Sequence, residues 1–231
     1  MQIKEEDAGY IAYISYEIEK WLYEGNDNKA IEIMIERGKK RGRFPKELRF
    51  VGAYRDEKYG SSGCAFLDDK VAKIIVGFAG TNYRNGVIEG TKDVVADALR
   101  LGVTGMEEGC PYLEEPQKFM DEIKRHEYEV LTVTGHSLGG ALAMYMGVYN
   151  DIPEIITYNG APLYVVSLGD KNRIKDKVDS YQGKIYRYVS KSDPLNILSS
   201  TADGFYPGGE VVIENTQGHA MSNFIKVYEQ K

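Results

Sequence analysis

An α/β fold, with a mostly parallel central sheet and helices on both faces, is predicted by three features of this sequence. Short apolar, β-rich runs alternate with stretches of helical spacing along most of the chain. Several of those runs, such as Val130-Leu131-Thr132-Val133-Thr134 and Ile155-Ile156-Thr157-Tyr158, are continuously apolar or β-branched, as strands buried on both faces are. The run at 130–134 passes through a glycine-flanked turn into the small-residue stretch Gly140-Ala141-Leu142-Ala143-Met144, which is a strand, a sharp turn and a helix.

Taken in order, residues 6–24 predict a helix, because Tyr10, Ile11, Ile14, Ile18, Trp21 and Leu22 recur at helical spacing. Gly25-Asn26-Asp27 ends it and caps a second helix at about 28–41, which carries Ile31, Ile33, Met34 and Ile35. These stripes are expected to pack on the sheet rather than face a membrane. Strands follow at Phe50–Tyr54, Gly63–Leu67 and Val71–Phe78, the last two joined as a hairpin through Asp68-Asp69-Lys70. A polar loop (82–90), a helix (91–101), a Gly/Glu/Pro-rich loop (102–116) and a helix (116–126) lead to the central strand–turn–helix. Beyond it come the strand at 155–158, a charged helix at 171–180, strands at Lys184–Val189 and Val211–Glu214, and a closing helix from about 219. At 231 residues the chain reads as one domain, with 1–48 as an N-terminal helical segment packed on a core of 49–231.

The turn itself is Gly135-His136-Ser137-Leu138-Gly139, a G-x-S-x-G pentad. In α/β-hydrolases this pattern is the nucleophile elbow: a strained turn lifts the serine above the sheet, and a Cβ at either glycine would collide with the neighbouring strand or helix. A serine hydroxyl needs a base to take its proton and an acid to orient that base, in the chain order Ser, acid, His. Three histidines are available. His126 precedes the serine at the end of a charged helix, and His136 sits beside Ser137 with its side chain pointing away. His219 therefore remains, in the loop after the last strand.

The acid must lie between them at the end of a strand. Asp193 fits, in the loop Ser190-Lys191-Ser192-Asp193-Pro194 that leaves the strand at 184–189, whereas Asp170, Asp179 and Asp203 read as cap or turn residues. Two donors are needed for an oxyanion: the backbone N–H of Leu138, and Thr81 at the end of Val76-Gly77-Phe78-Ala79-Gly80-Thr81.

With these pieces placed, the chain resembles the class 3, fungal-lipase-like branch of the α/β-hydrolases over residues 71–220. Phe78-Ala79-Gly80-Thr81 is similar to the family's oxyanion segment, and Gly135–Ala143 to its signature around the nucleophile. Tyr158-Asn159-Gly160-Ala161-Pro162 is similar to the next strand and its exit, and Asp193-Pro194 to the setting of the acid. The first 50 residues look like those of lipase-like proteins in Gram-positive bacteria and their phages. The resemblance implies hydrolysis of carboxylic esters through an acyl-serine, typically of acylglycerols or phospholipids, without a cofactor or metal. Secreted family members cover the site with an apolar lid; here the corresponding segment, 82–90, is short and polar, which leaves lysophospholipids, phospholipids and small soluble esters as open as emulsified triacylglycerol. A non-catalytic binding or regulatory module on the same fold is the alternative.

Composition bounds the partners. Net charge is −6, from 29 basic and 35 acidic residues mixed along the chain, which argues against nucleic acid and against electrostatic capture by anionic membranes, leaving transient contact with a lipid interface. Cys64 and Cys110 are too few for a disulfide framework, and their spacing is no metal motif. Met1-Gln2-Ile3-Lys4-Glu5-Glu6-Asp7 is charged and lacks the apolar core of a secretory signal, so a cytoplasmic location is expected, with leaderless export open.

Overall fold

The computed structural model describes residues 4–80, 110–165, 171–195, 204–214 and 216–228. Thr81, the polar loop at 82–90, the helix expected at 91–101 and most of the loop at 102–116 lie outside them, as do Asp170 and Asp203.

Nine strands and six α-helices are described. The helices are α1 (Glu5–Tyr23), α2 (Asn28–Lys40), α3 (Glu114–Ile123), α4 (Leu138–Tyr149), α5 (Lys171–Ser180) and α6 (Ser222–Tyr228). The strands are β1 (Leu48–Arg55), β2 (Ser62–Asp68), β3 (Lys73–Phe78), β4 (Val130–His136), β5 (Glu154–Tyr158), β6 (Tyr164–Val165), β7 (Lys184–Ser190), β8 (Gly204–Phe205) and β9 (Gly209–Ile213). Seven of them form one sheet in the order β1-β2-β3-β4-β5-β7-β9. The pairs β1–β2 and β2–β3 are antiparallel, and every pair from β3 to β9 is parallel. The central strands therefore all point their carboxyl ends toward one edge, where loops carrying chemistry collect.

The side-chain alternation of the strands divides the core in two. Ile74, Val76 and Phe78 of β3 and Ile155 of β5 face α3, α4 and α5, while Ile75, Ile156 and Tyr158 face α1, α2 and α6. Helix α4 is buried from Leu138 to Val148, as expected of a helix that is apolar all round. On the other face Ile11, Ile18, Ile31 and Ile35 are buried against the sheet, each contributing about 1.5–3 kcal/mol. The N-terminal stripes thus pack on the protein's own sheet, except for Ile33 of α2, which is exposed. Helix α1 is tied down further by Thr134 of β4, whose hydroxyl donates to Ala8 O at 3.3 Å, and by the Tyr158 hydroxyl, which donates to Glu5 O.

Helix α2 starts where the Asp27 side chain accepts from Ala30 N at 2.8 Å, a cap that removes one orphan donor. Several elements depart from expectation, among them β3, which starts at Lys73 rather than Val71, and β9, which starts at Gly209 rather than Val211. Helix α3 begins at Glu114 after a 3-10 turn at Pro111–Leu113, with Pro116 inside its first turn where a missing N–H costs nothing. Helix α6 begins at Ser222 rather than about 219. The two-residue ribbon β6–β8 had no sequence signal.

One buried charge makes stability depend on pH. Asp7, in the first turn of α1, is 5% exposed. Burial, with help from Asp68 and Glu47 and against Lys4 and Lys70, raises its carboxyl from 3.8 to about 6. Because the folded value lies above the unfolded one, the fold favours the protonated acid; that contribution is present below about pH 4 and is lost as pH rises through about 6. Asp7→Asn stays neutral throughout. It is expected to raise the thermal midpoint by several degrees at about pH 8 and hardly at all at about pH 4, since the shift is worth up to about 3 kcal/mol and each kcal/mol moves the midpoint ~2–4 °C at this size. Melts at the two pH values check it.

Candidate active site

The loop that follows β4 has the geometry that its glycines require. Ser137 adopts φ 56°, ψ −127°, a strained conformation for a residue with a side chain, between the last residue of β4 and the first of α4. A Cβ on Gly135 would run into the Gly139 carbonyl, and one on Gly139 would run into Phe78 O and come within 2.7 Å of the Ala79 carbonyl carbon. The turn is held from the far side as well, because Ala161 N donates to Ser137 O at 2.9 Å and Ser137 N to Tyr158 O at 3.3 Å. Strain at the serine is therefore fixed by packing on three sides.

Above this turn three side chains from distant segments meet. His219 Nε2 lies 2.8 Å from Ser137 Oγ, and His219 Nδ1 lies 2.8 Å from Asp193 Oδ1. Carboxylate oxygen only accepts, so Nδ1 carries the hydrogen toward Asp193 and bare Nε2 faces the serine hydroxyl. Asp193 follows β7 by three residues and is 1% exposed; Leu195 N donates to the same Oδ1 at 3.1 Å. The aspartate loop and the histidine loop are joined, since Gly218 N donates to Ser192 Oγ at 3.0 Å. Gly218 has φ 71°, a left-handed conformation that turns the chain after Thr216 and aims His219 at the sheet edge. Residues 217–221 serve this turn, which is why α6 starts late.

Of the other sequence candidates, Leu138 is the first residue of α4, so its backbone N–H stands in the helix's first turn beside Ser137, at the positive end of the helix dipole. Thr81 lies outside the described residues; its neighbour Gly80 lies against the nucleophile, where an added Cβ would sit 3.3 Å from Ser137 Cβ. His126 is exposed in the turn after α3, and Asp179 is exposed on α5. Cys64 is buried and Cys110 half-buried, both as free thiols. Among the described residues there is no group of three or more His, Cys, Asp or Glu placed to hold a metal ion.

His136 differs from its expected placement. Its ring does not turn away from the site: it lies 4.7 Å from the His219 ring, centroid to centroid, with Nε2 2.6 Å from His219 O and Nδ1 2.8 Å from the Tyr16 hydroxyl. Burial, reinforced by His219, pushes its pKa down from 6.5 to about 3, so it is neutral near pH 7. Asn159 and Ser190 also enter the site, and neither was singled out for a role from sequence. Both are polar residues at the carboxyl ends of strands that lead to the site edge, the one signal that could have marked them. Tyr16 sits in the N-terminal helix, outside the segment that the family resemblance covers.

Together the sheet order, the elbow and the hydrogen-bonded serine, histidine and aspartate define an α/β-hydrolase fold with a serine-centred site. The family model described as lipase (class 3) matches residues 106–202. The fold is similar to that of a lipase from Rhizopus microsporus var. chinensis, at TM-score 0.52 and 18% identity over 90% of this chain and 73% of that one. It is similar also to a triacylglycerol lipase from Penicillium expansum, at TM-score 0.52 and 15% identity over 91% and 78%. A fungal lipase–inhibitor complex, presented as a model for interfacial activation, gives TM-score 0.56 and 18% identity over 91% and 80%. No curated protein matches the sequence.

Proposed function

We propose that the protein is a serine carboxylic-ester hydrolase of lipase type that works through an acyl-serine intermediate. The observation that carries this reading is the continuous line Ser137 Oγ–His219 Nε2, His219 Nδ1–Asp193 Oδ1, with both spacings 2.8 Å. Ser137 attacks the acyl carbonyl while His219 takes its proton, and Asp193 keeps the imidazole in the required tautomer and offsets the charge that it gains. The Leu138 N–H, joined by Thr81, receives the oxyanion. His219 then protonates the departing alcohol, and water, activated by the same imidazole, releases the acid. No cofactor is needed for these steps.

The substrate is a lipid or a small ester. The polar composition of 82–90 speaks against a large apolar lid, so turnover is expected on dissolved monomers without a jump when the substrate aggregates. A panel of p-nitrophenyl esters, lysophospholipids, phospholipids and triacylglycerols, each assayed below and above its solubility limit, tests this. Activity confined to aggregated triacylglycerol would contradict the expected preference, and no activity on any ester would contradict the reading. Among the described residues no helix is long and apolar enough to cross a membrane, so contact with lipid would be made at the surface.

A further inference from the structure

The described residues of the loop that carries His219, between β9 and α6, have no ladder partners, and side chains from three strands grip their backbone. Asn159 Nδ2, at the end of β5, donates to Gly218 O and to His219 O, each at 3.1 Å. Ser190 Oγ, at the end of β7, donates to Gly218 O, and Ser190 N donates to Asn159 Oδ1 at 2.8 Å. His136 Nε2, at the end of β4, meets His219 O at 2.6 Å. Asn159, Ser190 and His136 are all buried, at 0%, 3% and 5% exposure.

The tautomer of His136 follows from its partners. A carbonyl oxygen only accepts, so Nε2 must carry the hydrogen. Burial keeps the ring neutral, so Nδ1 is then a bare lone pair. The Tyr16 hydroxyl lies 2.8 Å from it and 3.3 Å from His136 O, and its one hydrogen goes to the nearer acceptor, the lone pair; burial pushes that hydroxyl's pKa up, so it keeps its proton. The other neutral tautomer would set the Nε2 lone pair against the His219 carbonyl.

We infer that His136, locked in its Nε2–H tautomer by Tyr16, is a positioning residue which, with Asn159, holds the Gly218–His219 carbonyls and so sets where the His219 imidazole meets Ser137. The inference rests on the hydrolase reading above. It gives the N-terminal helix a part in the site, through the bond between the Tyr16 hydroxyl and His136 Nδ1. It also explains a neutral imidazole packed against the base: a second positive ring there would oppose the charge His219 gains in the reaction.

The test compares wild type with Tyr16→Phe, His136→Leu and His136→Gln, whose amide nitrogen can still donate to His219 O. The readouts are kcat and KM on a soluble p-nitrophenyl ester and the rate of fluorophosphonate labelling of Ser137. In His136→Leu, kcat and labelling rate are expected to fall about 10²-fold with KM little changed, the loss typical of a misplaced catalytic group. His136→Gln is expected to recover a large part of that loss, and Tyr16→Phe to fall about tenfold, as the wrong tautomer becomes accessible. Imidazole 15N spectra are expected to place the His136 hydrogen on Nε2 in wild type and to show mixed tautomers in Tyr16→Phe, a readout that stands if His136→Leu fails to fold. A wild-type hydrogen on Nδ1, full activity in both Tyr16→Phe and His136→Leu, or a His136→Gln as slow as folded His136→Leu overturns the inference. Wild type that is never labelled at Ser137 overturns the hydrolase reading instead.

Discussion

Ser137→Ala is expected to lower ester turnover by about 10⁴–10⁶-fold, the range seen when a serine nucleophile is removed and only binding and oxyanion donors remain. The reason is local. In the proposed mechanism Ser137 Oγ is the attacking atom, placed where the strained turn, the Leu138 N–H and His219 Nε2 converge. The fold should not notice the loss. Alanine keeps the Cβ and hence the same backbone strain, and the bonds that fix the turn run through the Ser137 backbone to Tyr158 and Ala161. The thermal midpoint is therefore expected to stay within about a degree or two of wild type, since surroundings that keep their packing lose well under 1 kcal/mol. Kinetics on a soluble ester alongside a melt check both halves; a folded variant that keeps wild-type turnover would remove Ser137 from the mechanism.

Asp193→Asn is expected to cost about 10³–10⁴-fold in kcat while the fold holds or gains stability. In the proposed mechanism the carboxylate does two things for His219. Its Oδ1 keeps the hydrogen on Nδ1, so that the opposite nitrogen is free to take the serine proton, and its charge balances the imidazolium. An amide of the same shape carries no charge, and its NH₂ group can turn toward Nδ1 and reverse the tautomer. The structural cost is small because Asp193 is 1% exposed, and its second oxygen, Oδ2, has no hydrogen-bond partner among the described residues. Neutralising an incompletely partnered buried carboxylate relieves desolvation. Activity and stability should therefore move apart, measured as kcat against thermal midpoint. A fall in both together would assign Asp193 a structural role.

Much of this architecture was legible because it follows from local rules. The 3.6-residue spacing of Ile11, Ile18, Ile31 and Ile35 marked α1 and α2, and the apolar runs around Val133 and Ile155 marked the central strands. The spacing of Ser137, Asp193 and His219 relative to predicted strand ends pointed to one sheet edge, where their side chains are found within hydrogen-bond reach. What could not be read was long-range. Tyr16 and His136 are 120 residues apart, and no periodicity in α1 marks one of its tyrosines as the partner of an imidazole in β4. His136 reads from sequence as pointing away from the site, because sequence shows which side of a strand a residue takes but not which loop will close over it. The late start of α6 has the same origin. Residues 217–221 have the composition of a helix start, yet Gly218 at φ 71° and the bonds to Ser192, Ser190 and Asn159 commit them to the site. The β6–β8 ribbon is two residues long on each side, too short for any pattern to register.

Covalent capture tests the central claim most directly. Native protein is treated with a fluorophosphonate, digested, and mapped by mass spectrometry, with His219→Ala alongside. The account predicts one adduct per chain, on Ser137, forming at least about 10³-fold more slowly in the variant, which has lost the base. An adduct on another serine, no adduct on folded protein, or equal rates with and without the imidazole would contradict it.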